Sequence, residues 1–312
     1  MQPGIGEWKK LPVRHSRDLI EIFGYAADDT TEFARSLWRL GGCPFTGRGC
    51  VKFNHDKTIT YGTCSATSPY GDLVICPNRL YADNYAVLRR VAGDAFGSDA
   101  PFYLFNQYVV RQPLSETCVV ALGAHSGREV RLGRSLSMDW VLVLLSDHRI
   151  VEYVGIEVQS IDITGNYRDA WHAYNRIYLG SDPVTIPASQ HGLNWANVHK
   201  RLIPQLIRKG TVYASSSLVR RGLYFIVPDP VYRKFEELLG VMPERTEADH
   251  NVMTVFTYDL GPQVPPGQIR ALRPKRTMRF GLDDLKDRFI TGPGLPAGDD
   301  LDQAVRRTLG LE

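Results

Sequence analysis

Long apolar runs are missing from the 312-residue sequence, which never reaches the ~18–20 consecutive apolar residues that a membrane-spanning helix needs. The N-terminal residues also lack the charged and then apolar arrangement of a secretory signal. The sequence has no internal repeat, and Gly41-Gly42 and Gly47-Arg48-Gly49 lack the Lys-Ser/Thr of a phosphate-binding loop. We therefore expect a cytoplasmic protein with no membrane partner.

A strong charge of either sign is also missing, because Lys and Arg total 37 against 34 Asp and Glu, for a net charge of +3. Such a small surplus permits nucleic-acid binding without requiring it, since phosphate contacts depend on local patches. Five cysteines do not indicate a disulfide framework in a chain of this length, and metal binding is the better interpretation in a reducing compartment. With 43% hydrophobic residues, the chain can bury a sizeable core.

The pattern of apolar residues predicts a mixed α/β fold in which a central sheet is flanked by helices. The strongest strand signals are the runs 138–145 and 150–161, and Asp147-His148 between them predicts an antiparallel hairpin. Within a helix predicted over 193–209, Pro204 indicates a kink and Gly210 the end. The remaining predicted elements are helices over 15–40, 83–97, 231–239 and 300–309, and strands over 102–111, 117–122, 211–217, 223–227 and 252–258.

Changes of composition along the chain predict three parts. Residues 1–105 combine N-terminal helices with a loop-rich subdomain over 41–80, where glycine, proline, cysteine and asparagine interrupt short strand-like runs. Residues 106–260 carry the central hairpin and form the α/β core. Residues 261–312 are a Pro-rich, basic C-terminal segment that we expect to pack on that core.

Polar side chains on the central hairpin form the first candidate site. Because side chains alternate across a strand, Glu157 and Gln159 point to one face, while Ile156 and Val158 point to the other. Asp139, at the start of the preceding strand, can lie at the same end of the hairpin. Two converging carboxylates suit Mg²⁺, which can activate a water and neutralise charge on a phosphate. Spacing alone leaves open the alternative of solvated charges at strand ends.

Four of the five cysteines, Cys43, Cys50, Cys64 and Cys76, fall in the loop-rich subdomain. Four thiolates can complete a tetrahedral site for zinc or iron. Their spacings of six, thirteen and eleven intervening residues are wider than those of a zinc finger, so independently buried thiols stay an alternative. The surrounding glycines and the Cys-Pro steps favour metal. Cys118 lies in an apolar run, and we expect it to be a core thiol.

The helix predicted over 193–209 offers basic and amide side chains, among them Asn194, Asn197, Lys200 and Arg201. Such side chains suit contacts with DNA phosphates and bases, since arginine reads guanine and asparagine reads adenine. Arg168, which follows the central hairpin, is a further candidate. A solvated amphipathic helix explains the same pattern without DNA.

The sequence resembles the NotI-type restriction endonucleases, a branch of the PD-(D/E)xK nuclease superfamily. Asp139, together with Gly155-Ile156-Glu157-Val158-Gln159-Ser160-Ile161-Asp162, looks like the catalytic motif of that family. The segment from Gly41-Gly42-Cys43-Pro44 to Cys76-Pro77 looks like its metal-binding region. Asp139 and Glu157 match the two acids of the superfamily pattern. Gln159 stands at the position of the superfamily's lysine, as it does in the NotI branch, and Met138 replaces the usual proline.

The resemblance implies a PD-(D/E)xK restriction-endonuclease-like core with a loop-rich metal-binding subdomain. It implies catalytic Mg²⁺ at Asp139 and Glu157, and a nucleophilic water positioned by Gln159. It also implies a structural iron, or zinc, held by the four cysteines away from the catalytic site. Glu129 lies where the superfamily sometimes supplies a further acid, and a surface charge is the alternative.

The function implied by the resemblance is that of a bacterial, cytoplasmic type II restriction endonuclease. Such an enzyme would cut double-stranded DNA at a GC-rich palindrome as a homodimer, beside a cognate DNA methyltransferase. Two alternatives stay open. One is a structure- or modification-dependent nuclease of the same superfamily, and the other is a non-catalytic DNA-binding protein stabilised by the cysteine-bound metal.

Overall fold

The computed structural model describes residues 17–97, 99–111, 117–132, 136–181, 185–293 and 295–311. The first two residues of the helix predicted over 15–40 lie outside these ranges. No helix within the ranges is long and apolar enough to cross a membrane.

The N-terminal part contains a small antiparallel sheet, a short hairpin and a long helix. Its elements are β1 (Leu19–Ile22), β2 (Tyr25–Ala26), α1 (Glu32–Leu40), β3 (Gly42–Cys43), β4 (Arg48–Gly49), β5 (Thr63–Ser68), β6 (Gly71–Val74) and α2 (Ala82–Phe96). The strands pair in the order β2-β1-β5-β6, and β3 pairs with β4. A 3-10 turn over Pro77–Tyr81 leads into α2.

The rest of the chain builds a larger sheet with helices between its strands. Its elements are β7 (Phe102–Leu104), α3 (Phe105–Arg111), β8 (Cys118–Gly123), β9 (Arg131–Leu132), β10 (Leu136–Ser137), β11 (Trp140–Ser146), β12 (Arg149–Val158), β13 (Ile163–Asn166), α4 (Arg168–Tyr178), β14 (Gln190–Leu193), α5 (Trp195–Asn197), α6 (Ile203–Ala214), β15 (Leu223–Pro228), α7 (Asp229–Leu239), β16 (Val252–Leu260), β17 (Leu272–Gly281), α8 (Leu282–Thr291) and α9 (Gly298–Leu309).

The central sheet has seven strands in the order β17-β16-β15-β12-β11-β8-β7. Strands β12, β15 and β16 run parallel to one another, whereas β11 is antiparallel to both β12 and β8. The predicted hairpin is confirmed as β11–β12, with Asp147 and His148 as a two-residue turn. Both turn residues have positive φ, at 48° and 60°, as a tight hairpin turn requires.

The two faces of the central sheet are buried against different helices. Along β11, Trp140 and Leu142 join the apolar cluster that contains α2, while Val141 and Val143 join the cluster that contains α6, α7 and α8. This alternation follows from the two-residue period of a strand. The prediction of a mixed α/β fold, with a central sheet flanked by helices, is confirmed.

The helix predicted over 15–40 is wrong in its first half. Residues Leu19–Ile22 form β1, which pairs with β5, and all four side chains are buried. Burial on both faces gives an apolar run that periodicity alone does not separate from a helix. The strand predicted over 102–111 is also too long, because residues Phe105–Arg111 are helical.

The strand predicted over 211–217 is wrong as well, because α6 continues through Gly210 to Ala214. A Cβ on Gly210 would lie only 2.5 Å from Cδ2 of Leu282, so this glycine lets α6 pack closely against α8 instead of ending the helix. Pro204, where a kink is predicted, is the second residue of α6. A π turn over Val198–Leu202 immediately precedes it and relieves the crowding of the proline ring against the preceding turn.

The basic C-terminal segment supplies an edge of the central sheet. Strand β17 holds much of the basic run and pairs with β16, and α8 then returns beneath α6. Arg270 donates to the Asp72 carboxylate at 2.6 Å, which ties the segment to the N-terminal sheet.

Candidate active site

Asp139 lies immediately before β11, at the end of the hairpin that is opposite the turn. Its Oδ2 accepts a hydrogen bond of 2.9 Å from the backbone N–H of Val158. Because Val158 is the last residue of β12, this bond fastens the Asp139 carboxylate to the end of the neighbouring strand. The antiparallel pairing thus brings Asp139 and Glu157 together.

Glu157 is buried, with 7% of its surface exposed. Its Oε2 accepts a hydrogen bond from Nζ of Lys209, on α6, and the two side chains form an ion pair. Its Oε1 is buried and accepts no well-formed hydrogen bond among the described residues, although the backbone N–H of Asp139 lies close enough to the carboxylate to lower its pKa. An unpaired buried oxygen of this kind costs roughly 1–3 kcal/mol, and more if it is charged. Glu157 therefore keeps one oxygen available for a further ligand.

Burial raises the pKa of the Glu157 carboxyl to about 8, and the charge of Asp139 adds to the rise, while Lys209 opposes it. Burial also raises the pKa of Asp139 above its ordinary value, against the opposing effects of the Val158 N–H and of Lys209. The phenol of Tyr213 has its pKa raised by burial and then by the charge of Glu157. A single ammonium group thus serves one buried and one half-buried carboxylate, and a bound cation would relieve this imbalance.

Gln159 follows β12 directly, and its backbone N–H donates to the carbonyl of Ile226 in β15, at 3.0 Å. The residue is half-buried and lines a pocket of about 190 Å³. The polar residues that share this pocket are Ser160, Asp162, Asn194, Asn197, Arg201 and Gln205. An open, polar pocket therefore begins two residues beyond Glu157.

The predicted DNA-contacting residues divide between two places. Asn194, Asn197 and Arg201 line the pocket of Gln159, and Nδ2 of Asn197 donates to Asp162 at 3.2 Å. Lys200 is exposed on the π turn beside them. Arg168 lies elsewhere, at the start of α4, where it lines a separate pocket of about 450 Å³ with Asn54, His55 and Asn166.

Lys209 is a residue of this site that the sequence does not single out, because it looks like one more cation on the basic helix predicted over 193–209. The buried positions of α6 are Ile203, Leu206, Lys209, Gly210 and Tyr213. Lys209 follows Leu206 by three residues and precedes Tyr213 by four, so it belongs to the apolar stripe. A lysine on such a stripe is the signal that could have identified it, since lysine is almost never fully buried unless it is paired.

Glu129 forms an ion pair with Arg131, whose Nη2 lies 2.7 Å from its Oε2. Its charge also contributes to the raised pKa of Asp139, as the smallest of several causes. Glu129 is thus near enough to the site to act on it through its charge, while its carboxylate accepts a hydrogen bond from Arg131.

The four cysteines of the loop-rich subdomain are buried and carry free thiols. Burial raises the pKa of Cys50, Cys64 and Cys76, and in each case the charge of another of the four adds to the rise. The thiols therefore lie within electrostatic range of one another. No group of three or more His, Cys, Asp or Glu side chains in the described residues has the arrangement of a metal site.

The Asp139–Glu157 pair offers two carboxylates, and the chemistry of carboxylate oxygens fits a hard cation. It presents carboxylate oxygens, one of them buried and unpaired, and Glu157 lies two residues before Gln159 in the chain.

No model of a known protein family matches the sequence. No curated protein matches it either.

Proposed function

We propose that this chain is a Mg²⁺-dependent type II restriction endonuclease with a PD-(D/E)xK-like core. The observation that carries the proposal is the meeting of Asp139 and Glu157 at one end of the central hairpin, with Glu157 Oε1 buried and unpaired. Gln159, at the position of the superfamily's lysine, supports the same assignment. The neighbouring pocket offers amide and guanidinium groups of the kind that contact DNA.

Mg²⁺ held by Asp139 and Glu157 would neutralise charge on the reacting phosphate and lower the pKa of a bound water. Gln159 orients the attacking water, because an amide can both donate and accept hydrogen bonds. The oxygen of the water forms a bond to phosphorus while the bond from phosphorus to the 3′ oxygen breaks. The hydroxyl remains on the 5′-phosphate, and the second proton of the water goes to the 3′ oxygen.

The proposal includes a homodimer, since a twofold protein matches a palindromic site and each protomer then cuts one strand. It also includes a cognate DNA methyltransferase as functional partner and the bacterial cytoplasm as location. A structural iron or zinc on Cys43, Cys50, Cys64 and Cys76 belongs to the same proposal. The burial of all four thiols and their mutual electrostatic influence support it.

The test is incubation of the purified chain with phage DNA and Mg²⁺, followed by sequencing of the fragment ends. The informative variant is Asp139→Asn, because an amide oxygen can still accept the Val158 hydrogen bond while the charge is lost. The matched control is Asp147→Asn in the hairpin turn, where φ is +48° and asparagine is well tolerated.

We expect discrete fragments with one common end sequence from the native chain and from Asp147→Asn, and none from Asp139→Asn. Cleavage without a common end sequence would favour the structure- or modification-dependent nuclease. DNA binding without cleavage, unchanged by Asp139→Asn, would overturn the enzyme proposal in favour of a DNA-binding protein.

A further inference from the structure

The charges at the end of the central hairpin come from three elements. Asp139 precedes β11, Glu157 lies on β12, and Lys209 projects from α6. On the face of β12 that Glu157 occupies, the neighbouring positions are Gly155 and Gln159, neither of which carries charge. The ammonium group that meets Glu157 therefore comes from a helix distant in sequence, because the one cation of β12, Arg149, lies at the far end of that strand.

Two glycines allow α6 to pack closely, one against the sheet and one against α8. A Cβ on Gly155 would lie 2.1 Å from Cζ of Tyr213, so the Tyr213 ring rests directly on β12. On the other side, Gly210 admits Leu282 of α8 against the helix. Lys209 immediately precedes Gly210 and lies about one turn before Tyr213 on the same helix. Its Cα is thereby held in place, and the flexible side chain ends at Oε2 of Glu157.

A purely structural ion pair would account poorly for this arrangement. Burying Glu157 and Lys209 together beside Asp139 is costly, and well-packed apolar side chains of similar volume are often as stable or more stable. A structural pair would also satisfy the carboxylate, whereas Glu157 Oε1 is left buried and unpaired. The ammonium pairs with Glu157 on β12, and its charge also acts on Asp139 just before β11.

We propose that Lys209 supplies from α6 the positive charge that Gln159 cannot supply from β12. In the free protein, its ammonium group occupies Oε2 of Glu157 and leaves Oε1 for a cation. With DNA bound, Lys209 donates hydrogen bonds to an oxygen of the reacting phosphate and offsets the charge that builds there. Gln159 orients the water. Orienting the water and supplying positive charge, which one lysine on the strand could do alone, are thus divided between Gln159 and Lys209. This inference rests on the proposed nuclease function.

The experiment compares single-turnover cleavage of phage DNA by the full-length native chain, Lys209→Met and the double variant Lys209→Met/Gln159→Lys. The control is Lys234→Met, which removes a lysine from the more exposed ion pair of Lys234 with Glu237. Binding of Mn²⁺ alone, measured by electron paramagnetic resonance without DNA, and the melting temperature are recorded for every variant.

We expect Lys209→Met to cut about 100-fold more slowly, the size of effect found when one transition-state donor is removed. It should bind Mn²⁺ at least as tightly as the native chain, because the competing ammonium is gone. The double variant should regain at least about 10-fold in rate, since a lysine then projects from the strand. Lys234→Met should match the native chain in all three measurements.

Two results would overturn the proposal for Lys209. One is cleavage by Lys209→Met at the native rate. The other is joint loss of cleavage and Mn²⁺ binding that Gln159→Lys does not rescue, which a structural role alone would produce. If the native chain cuts no DNA, the nuclease proposal itself fails, and that outcome is distinct from both.

Discussion

The buried ion pair between Arg79 and Glu21 provides a direct test of how the N-terminal part is held together. Arg79 Nε and Nη2 donate to the two oxygens of Glu21 at 2.9 and 3.0 Å, and Ser65 donates to the same carboxylate at 2.9 Å. The guanidinium carbon lies 4.7 Å from the ring centroid of Phe45. The side chains of Arg79 and Glu21 are 0% and 1% exposed, so neither charge is solvated.

Replacing Arg79 with methionine keeps most of the apolar volume but leaves the Glu21 carboxylate buried without its counter-charge. Removing one partner of a buried pair typically costs about 3–5 kcal/mol of unfolding free energy. The double variant Glu21→Gln/Arg79→Met should recover part of this loss, because no uncompensated charge then remains.

Urea unfolding followed by tryptophan fluorescence measures these differences, since the chain has 5 tryptophans. The control is Arg39→Met, which breaks the exposed pair of Arg39 with Glu32 and should leave the unfolding midpoint nearly unchanged. If Arg79→Met and Arg39→Met unfolded at the same urea concentration, the buried pair would not stabilise the protein as argued.

Three further predictions concern other parts of the molecule. Gly155→Ala should lower the unfolding free energy by about 1–3 kcal/mol and slow DNA cleavage, because its Cβ would overlap the Tyr213 ring; urea titration and a cleavage assay check this. Cys64→Ser should lower the iron or zinc content found by elemental analysis, whereas Cys118→Ser should leave it unchanged; equal metal content in both would count against the four-cysteine site. Burial and then the charge of Arg48 lower the pKa of His125, so the unfolded chain takes up a proton at a higher pH than the folded chain. Stability should therefore fall as pH drops below about 6.5. The difference in melting temperature between pH 5.5 and 7.5 should be smaller in His125→Gln than in the native chain. An equal difference in both would exclude the His125 imidazole as the cause of the pH dependence.

Local patterns predicted the centre of the fold well. The apolar runs 138–145 and 150–161 and the Asp147-His148 turn between them are adjacent in sequence. Each of the three has the pattern expected of its part of a hairpin. The close approach of Asp139 to Glu157 follows from that hairpin, since antiparallel pairing returns the end of β12 to the start of β11. The helices over 83–97, 231–239 and 300–309 are likewise confirmed within a few residues, because each combines an apolar stripe with terminal signals.

The features that sequence did not reveal depend on distant contacts. Residues Leu19–Ile22 form a strand because β5 pairs with them from more than forty residues away. Lys209 meets Glu157 across 52 residues of chain, and no local pattern specifies that meeting. Glycine commonly ends a helix, yet Gly210 lies within α6, where the absence of a Cβ allows Leu282 of α8 to approach. In each case, tertiary packing outweighs the local preference.

The approach of α8 to α6 decides how far the chain can be shortened from its C-terminal end. None of the proposed catalytic residues lies beyond residue 209, so the last hundred residues look dispensable from a list of site residues alone. Yet β17 forms an edge of the central sheet, and Leu282 supports the helix that carries Lys209. A chain cut before β17 would lose that support, whereas one cut just before α9, which buries no side chain, would keep it.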